Sequence, residues 1–189
     1  MMSGMRLFVS LEPPPEAVEH LEDFLEVRRQ AGTALRWSAT EQWHLTLAFM
    51  GSAPERVVED VVARVGEVAA HTPPPVLAVV GGGCFPDVTR ARVLWAGVDA
   101  VTSLVPLAGS VRSACAVAGG SPEGRPFRPH LTLARLPRPT DATRWVRVLE
   151  TYAGPSWTAT ELAVVASHLP RDRGHRPRHE VLARLPVAG

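Results

Sequence analysis

The chain has 189 residues, 46% of them hydrophobic and 21% charged, with a net charge of +1, which suits one folded domain or two small lobes sharing a core. No apolar run reaches membrane-spanning length, and the opening Met-Met-Ser-Gly-Met-Arg lacks the basic-then-apolar order of a secretory signal. Two cysteines, Cys84 and Cys115, are too few for a disulfide framework or a thiolate zinc site; they read as buried free thiols in a monomeric cytoplasmic protein.

The elements follow from periodicity and punctuation. Residues 5–11 read as a strand that ends at Pro13-Pro14-Pro15, and 16–30 as a helix with apolar positions at Val18, Leu21 and Leu25. Residues 34–38 and 43–49 form a strand pair. Gly51 and Pro54 precede a second helix at 55–70, with an apolar stripe from Val57 to Val65, broken by Pro73-Pro74-Pro75. Strands at 76–81 and 92–98 are expected to flank a turn at Gly81-Gly82-Gly83, which lacks the spacing and following helix of a nucleotide-binding loop. A third helix at 101–118, a loop at 119–122, a strand at 128–134, a short helix at 141–152 and strands at 160–168 and 178–185 complete the chain.

Charge is unevenly spread along this order. There is no lysine; residues 1–120 carry nine Arg against thirteen acidic residues, and 121–189 carry eleven against six. The total absence of lysine reads as a composition bias, but the asymmetry is compatible with a polyanionic ligand on the C-terminal half. The segment from Arg171 to His179 reads as a solvated basic hairpin loop, with an RNA-backbone contact as the sharper alternative.

One motif stands out. His-Leu-Thr-Leu-Ala occurs at 44–48 and again at 130–134. Alternation in a strand puts His44 and Thr46 on one face, with Leu45, Leu47 and Phe49 turned into a core; His130 and Thr132 repeat this against Leu131 and Leu133. Imidazole can give and take a proton near neutrality, and two of them suffice for acid–base cleavage of a phosphodiester without a metal. A threonine hydroxyl two residues on can donate to a phosphate oxygen. The other histidines form no metal-binding helix pair and the carboxylates are scattered, so neither metal nor cofactor is expected.

These motifs and their surroundings resemble the two-histidine (2H) phosphoesterases, and within them the RNA 2′,3′-cyclic phosphodiesterases once called 2′-5′ RNA ligases. The resemblance runs through Met5-Arg-Leu-Phe-Val, Arg36-Trp37, His44 to Gly51, Gly83-Cys-Phe-Pro86, Arg92 to Gly97, Arg125 to Arg135 and Glu180 to Pro186. It implies an α+β, bilobal fold over residues 1–189: two antiparallel sheets with outer helices, a central cleft and a pseudo-two-fold axis. It implies His44 as proton donor, His130 as proton acceptor, and Thr46, Thr132 and Arg135 on the phosphate. Simple alternation, however, puts Arg135 on the face opposite His130, unless the strand twists or ends there. Phe127 and Phe85 are candidates for stacking on a base, whereas Trp43 is expected to pack in the core. Trp43 and His179 depart from the family pattern and leave substrate preference open.

The implied substrate is RNA with a 2′,3′-cyclic phosphate end or a small cyclic nucleotide, hydrolysed to the 2′-phosphomonoester. The alternatives are 2′-5′ RNA ligation or RNA-end binding in the same cleft, a non-catalytic nucleotide-binding module, and another 2H activity such as 2′-5′ oligoadenylate or ADP-ribose cyclic phosphate cleavage.

Overall fold

The computed structural model describes residues 4–29, 35–169 and 177–188. Its strands are β1 (Met5–Leu11), β2 (Arg36–Trp37), β3 (Leu45–Ala53), β4 (Val76–Phe85), β5 (Ala91–Ala100), β6 (His130–Thr140), β7 (Ala153–Thr158), β8 (Glu161–His168) and β9 (Arg178–Pro186). The helices are α1 (Pro15–Arg29), α2 (Val58–Ala70), α3 (Val105–Val117) and α4 (Thr143–Glu150). Proline opens α1, where its fixed φ suits the first turn and its missing N–H is not needed.

The expected pair of antiparallel sheets is realised as one curled sheet with a narrow waist. Strand order is β7-β4-β5-β6-β3-β1-β8-β9, with β2 beside β6, and every pairing is antiparallel. The two halves meet where β3 pairs β6 through a single residue pair, Leu45 with Leu131. Each of these leucines immediately follows a motif histidine, so the pseudo-two-fold axis runs through the seam and sets the two imidazoles on either side of it.

The helices exchange across that seam. α1 follows β1 of the first half yet packs on β4 and β7 of the second, whereas α3 follows β5 of the second half and packs on β3 of the first. His20 Nδ1 of α1 bonds the Tyr152 hydroxyl at 2.9 Å, which anchors the first crossing. Leu21 and Leu25 of α1, Val61 and Val65 of α2, and Val111 and Cys115 of α3 are fully buried against Leu7, Val9, Leu47 and Leu133 of the sheet. A second, small apolar cluster of Phe8, Ala163 and Val165, with Phe49 beside it, stands apart from that core.

Several expectations are corrected. Gly81-Gly82-Gly83 is not a turn: all three lie inside β4, where a Cβ on Gly83 would stand 2.5 Å from the Trp95 ring, and one on Gly82 2.6 Å from the Trp95 carbonyl. Glycine serves close approach here. Gly81 has φ +64°, next to a break in the β4–β5 register. β7 has no counterpart among the expected strands, because Ala-Gly-Pro-Ser-Trp-Thr has no alternation; it is an edge strand, where proline is tolerated. β6 continues through Pro137 and Pro139 to Thr140, well beyond 134. Cys115 is buried, but Cys84 is only half-buried; both are free. The segment 171–176 of the basic loop lies outside the described residues. Phe49 does not join the core under the helices, for a reason that belongs to the site.

Candidate active site

Both motifs carry the same irregularity. In β3, Ser10 pairs Thr46 and Val9 pairs Ala48, so Leu47 is an extra residue; in β6, Trp95 pairs Thr132 and Leu94 pairs Ala134, so Leu133 is extra. A bulge of this kind shifts the alternation by one. Leu47 and Ala48 are therefore both buried, as are Leu133 and Ala134. The next residue in each copy, Phe49 or Arg135, returns to the face that carries the threonine. This resolves the difficulty with Arg135: it lines one cavity together with His130, Thr132 and Thr46. The same shift turns Phe49 to that cavity instead of the core, and Phe127 also lines it. The cavity is about 790 Å³.

The two imidazoles are held alike. His44 Nδ1 lies 2.7 Å from the Gln42 carbonyl, and His130 Nδ1 lies 2.6 Å from the Arg128 carbonyl. A carbonyl only accepts, so each Nδ1 carries the proton and each Nε2 is left for chemistry. Around His44, Phe8 stacks at 4.5 Å and 15°, and His179 meets it edge-on at 5.5 Å. Around His130, Phe85 stands edge-on at 5.1 Å and Trp95 is tilted at 5.9 Å.

Burial lowers the pKa of His44 to about 4, against the Gln42 carbonyl, which raises it; the charges of His179 and His130 lower it further. Burial also lowers His130, partly offset by the Arg128 carbonyl. His44 and His130 each stand one residue before the paired Leu45 and Leu131, so both lie at the seam between the halves. They do not line one continuous wall, however: His44 borders a smaller cavity of about 360 Å³ with Phe8, Trp43 and His179. Trp43 is buried in the core cluster, as expected. Phe85 packs on His130, which leaves Phe127 as the better placed of the two candidate stacking rings.

Sequence reading missed Phe8, Trp95, Arg6 and Arg112. Phe8 and Trp95 lie on β1 and β5, and only strand pairing brings them to the histidines; Arg6 and Arg112 look like ordinary surface cations in sequence. Among the described residues, no three His, Cys, Asp or Glu side chains converge to hold a metal ion.

Comparison with known proteins agrees with this geometry. The family described as the 2′-5′ RNA ligase superfamily matches residues 12–171. RNA 2′,3′-cyclic phosphodiesterases of Thermus thermophilus and Escherichia coli are 30% and 29% identical, over 98% and 92% of this chain and 91% and 93% of theirs. A Geobacillus stearothermophilus protein of the same name is 28% identical over the whole chain, which spans 59% of its length. Among solved structures, the Thermus thermophilus protein TT0787 superposes with a TM-score of 0.76 at 28% identity, covering 98% of this chain and 99% of that one. Escherichia coli LigT in apo form gives 0.73 at 26%, covering 99% of each. With two bulged His-Leu-Thr-Leu-Ala strands meeting at one seam and a family match over most of its length, the chain belongs to the 2′-5′ RNA ligase superfamily of two-histidine phosphoesterases.

Proposed function

We propose that this protein hydrolyses 2′,3′-cyclic phosphate ends to 2′-phosphomonoesters, and that one bilobal unit carries the whole reaction. Neutral His130 takes a proton from water at Nε2 as the water oxygen bonds to phosphorus. The bond from phosphorus to the 3′ oxygen breaks, and protonated His44 delivers its Nε2 proton to that oxygen. Thr46 and Thr132 donate to the phosphate oxygens and Arg135 offsets their charge, while Phe127 offers a face to the base. No metal takes part in these steps.

The observation that carries the reading is the matched pair of imidazoles, each with Nδ1–H on the carbonyl two residues before it and each one residue before the Leu45–Leu131 pair; His130 lines the cavity that Thr46, Thr132 and Arg135 share, and His44 borders the smaller one. The shared name of the curated relatives supports the same activity. The test is incubation with a nucleoside 2′,3′-cyclic phosphate and identification of the product isomer. Release of the 2′-monophosphate is expected; no turnover, or the 3′-monophosphate alone, overturns the assignment.

A further inference from the structure

The larger cavity contains more cationic surface than one cyclic phosphate requires. Besides Arg135, the guanidinium-bearing residues Arg6, Arg92, Arg112, Arg125 and Arg128 line it, none of them used by the proposed mechanism, and Arg6 and Arg112 are the two whose side chains are held there by further contacts. Arg6 lies two residues before Phe8 on β1, so both project to the same face of the sheet. The Arg6 guanidinium rests over the Phe49 ring at 5.2 Å, and its Nε is buried without a hydrogen-bond partner. A buried cationic donor left unmatched is costly; an anionic oxygen in the cavity would satisfy it.

Arg112 comes from the opposite side, on α3. Its Nε donates to the Leu47 carbonyl at 3.1 Å and its Nη1 to the Arg125 carbonyl at 2.8 Å, and its guanidinium lies 5.8 Å from the Phe127 ring centre. These bonds use two of its five N–H donors. They hold the group in place before any ligand arrives, so little ordering entropy remains to be lost on binding. Glu123, the acid on this wall, faces Arg125 at 3.7 Å. The smaller cavity beside His44 is the opposite case: Glu12 and Glu41 line it, and its Arg184 is bound by Glu12 and Glu161. A phosphate chain leaving the reacting centre is attracted to the first cavity and not to the second.

We propose that Arg6 and Arg112 form a second phosphate subsite, which takes the phosphodiester one nucleotide before the cyclic end. The substrate class is then an oligonucleotide 2′,3′-cyclic phosphate in preference to a mononucleoside one. This rests on the cyclic-phosphate reading above and adds a preference that the reading does not contain.

The experiment compares kcat/KM for three compounds: a nucleoside 2′,3′-cyclic phosphate, the dinucleotide ending in the same cyclic phosphate, and that dinucleotide with an uncharged methylphosphonate internal linkage. The charged dinucleotide is expected to be favoured about ten- to a hundredfold, the size of one or two charge-assisted hydrogen bonds, and the methylphosphonate to fall back to the mononucleoside level. Arg6→Gln and, separately, Arg112→Gln should collapse the ratio of dinucleotide to mononucleoside, and the ratio is the quantity read, because Arg112 also supports the cavity wall. Equal kcat/KM for the mononucleoside and the charged dinucleotide overturns the subsite and leaves the hydrolase reading standing. A preference retained by the methylphosphonate also overturns it, since base stacking would then be the cause. If none of the three is hydrolysed, the hydrolase reading fails. The subsite is then judged by calorimetric affinity for a nucleoside 2′-monophosphate against a dinucleotide 2′-monophosphate: tighter dinucleotide binding that is lost in Arg6→Gln supports it, and equal affinities reject it.

Discussion

His44 and His130 share a tautomer and differ in how deeply they are withdrawn from water, and the kinetics should show this. Replacing either with Ala is expected to lower turnover about 10²–10⁴-fold, with the double variant little worse, because the pair acts as one unit. Near-normal turnover in either single variant rejects the proposed roles. The pH dependence follows from the same burial. The proposed roles require His44 protonated and His130 neutral in the free protein, yet burial lowers His44 to about 4 and His130 below the ordinary 6.5. Above pH 6.5 His130 gains nothing further while protonated His44 declines, so kcat/KM should fall about tenfold per pH unit and peak on the acid side of 6.5. A bound phosphate anion favours the imidazolium, so the alkaline limb of kcat should lie at higher pH than that of kcat/KM. A kcat/KM optimum above pH 7.5 contradicts this reading. Stability is linked to the same proton. The folded value of His44 lies below the unfolded one, so its contribution is complete above pH 6.5 and is lost as pH falls toward 4. That loss amounts to about 3 kcal/mol at most. Denaturant unfolding at pH 7 and 4.5 should show a smaller acid-induced loss in His44→Asn than in the wild-type protein.

At the scale of elements, the bulges at Leu47 and Leu133 decide which side chains reach the cleft. Each inserts one residue after the threonine, and Phe49 and Arg135 change face as a result. The glycines of β4 are the complementary device, because they admit the Trp95 indole that stands beside His130. Gly83→Ala places a Cβ 2.5 Å from that ring, and overpacking of this kind costs about 1–3 kcal/mol. Unfolding should register that loss, and turnover should fall with it as Trp95 shifts against His130; unchanged stability would show that the indole has room to move. The threonines can be separated from folding. Thr→Val at 46 or 132 keeps the branched shape that a strand favours and removes a hydroxyl worth about ten- to a hundredfold in kcat/KM. Full activity with a lowered melting temperature would make them structural.

For the whole molecule, the question is how two lobes joined by one strand pair hold two histidines at a working separation. Leu45 and Leu131 supply the only β3–β6 pairing among the described residues, and the exchanged helices α1 and α3 supply the rest of the hold. The chemistry proposed for this frame is proton transfer between imidazoles and oxygen, so activity should survive exhaustive treatment with EDTA. Loss of rate that one added divalent ion restores would overturn the metal-free mechanism.

The duplicated pentapeptide made the candidate histidines and threonines legible in the sequence, because residue types and spacing are local properties and a repeat of five residues is hard to produce by chance; the two-lobed plan came from the family resemblance. Arg135 was legible only as a conflict between the family resemblance and simple alternation. The bulge that settles it depends on pairing with β5, a partner more than thirty residues away in the chain. β7 was hidden for a related reason: an exposed edge strand needs no apolar alternation. Phe8 against His44, Trp95 against His130, and the two arginines that converge on the cavity from β1 and α3 are contacts between distant segments. No local pattern encodes them, and only the packing of the sheet and its exchanged helices decided where those side chains meet.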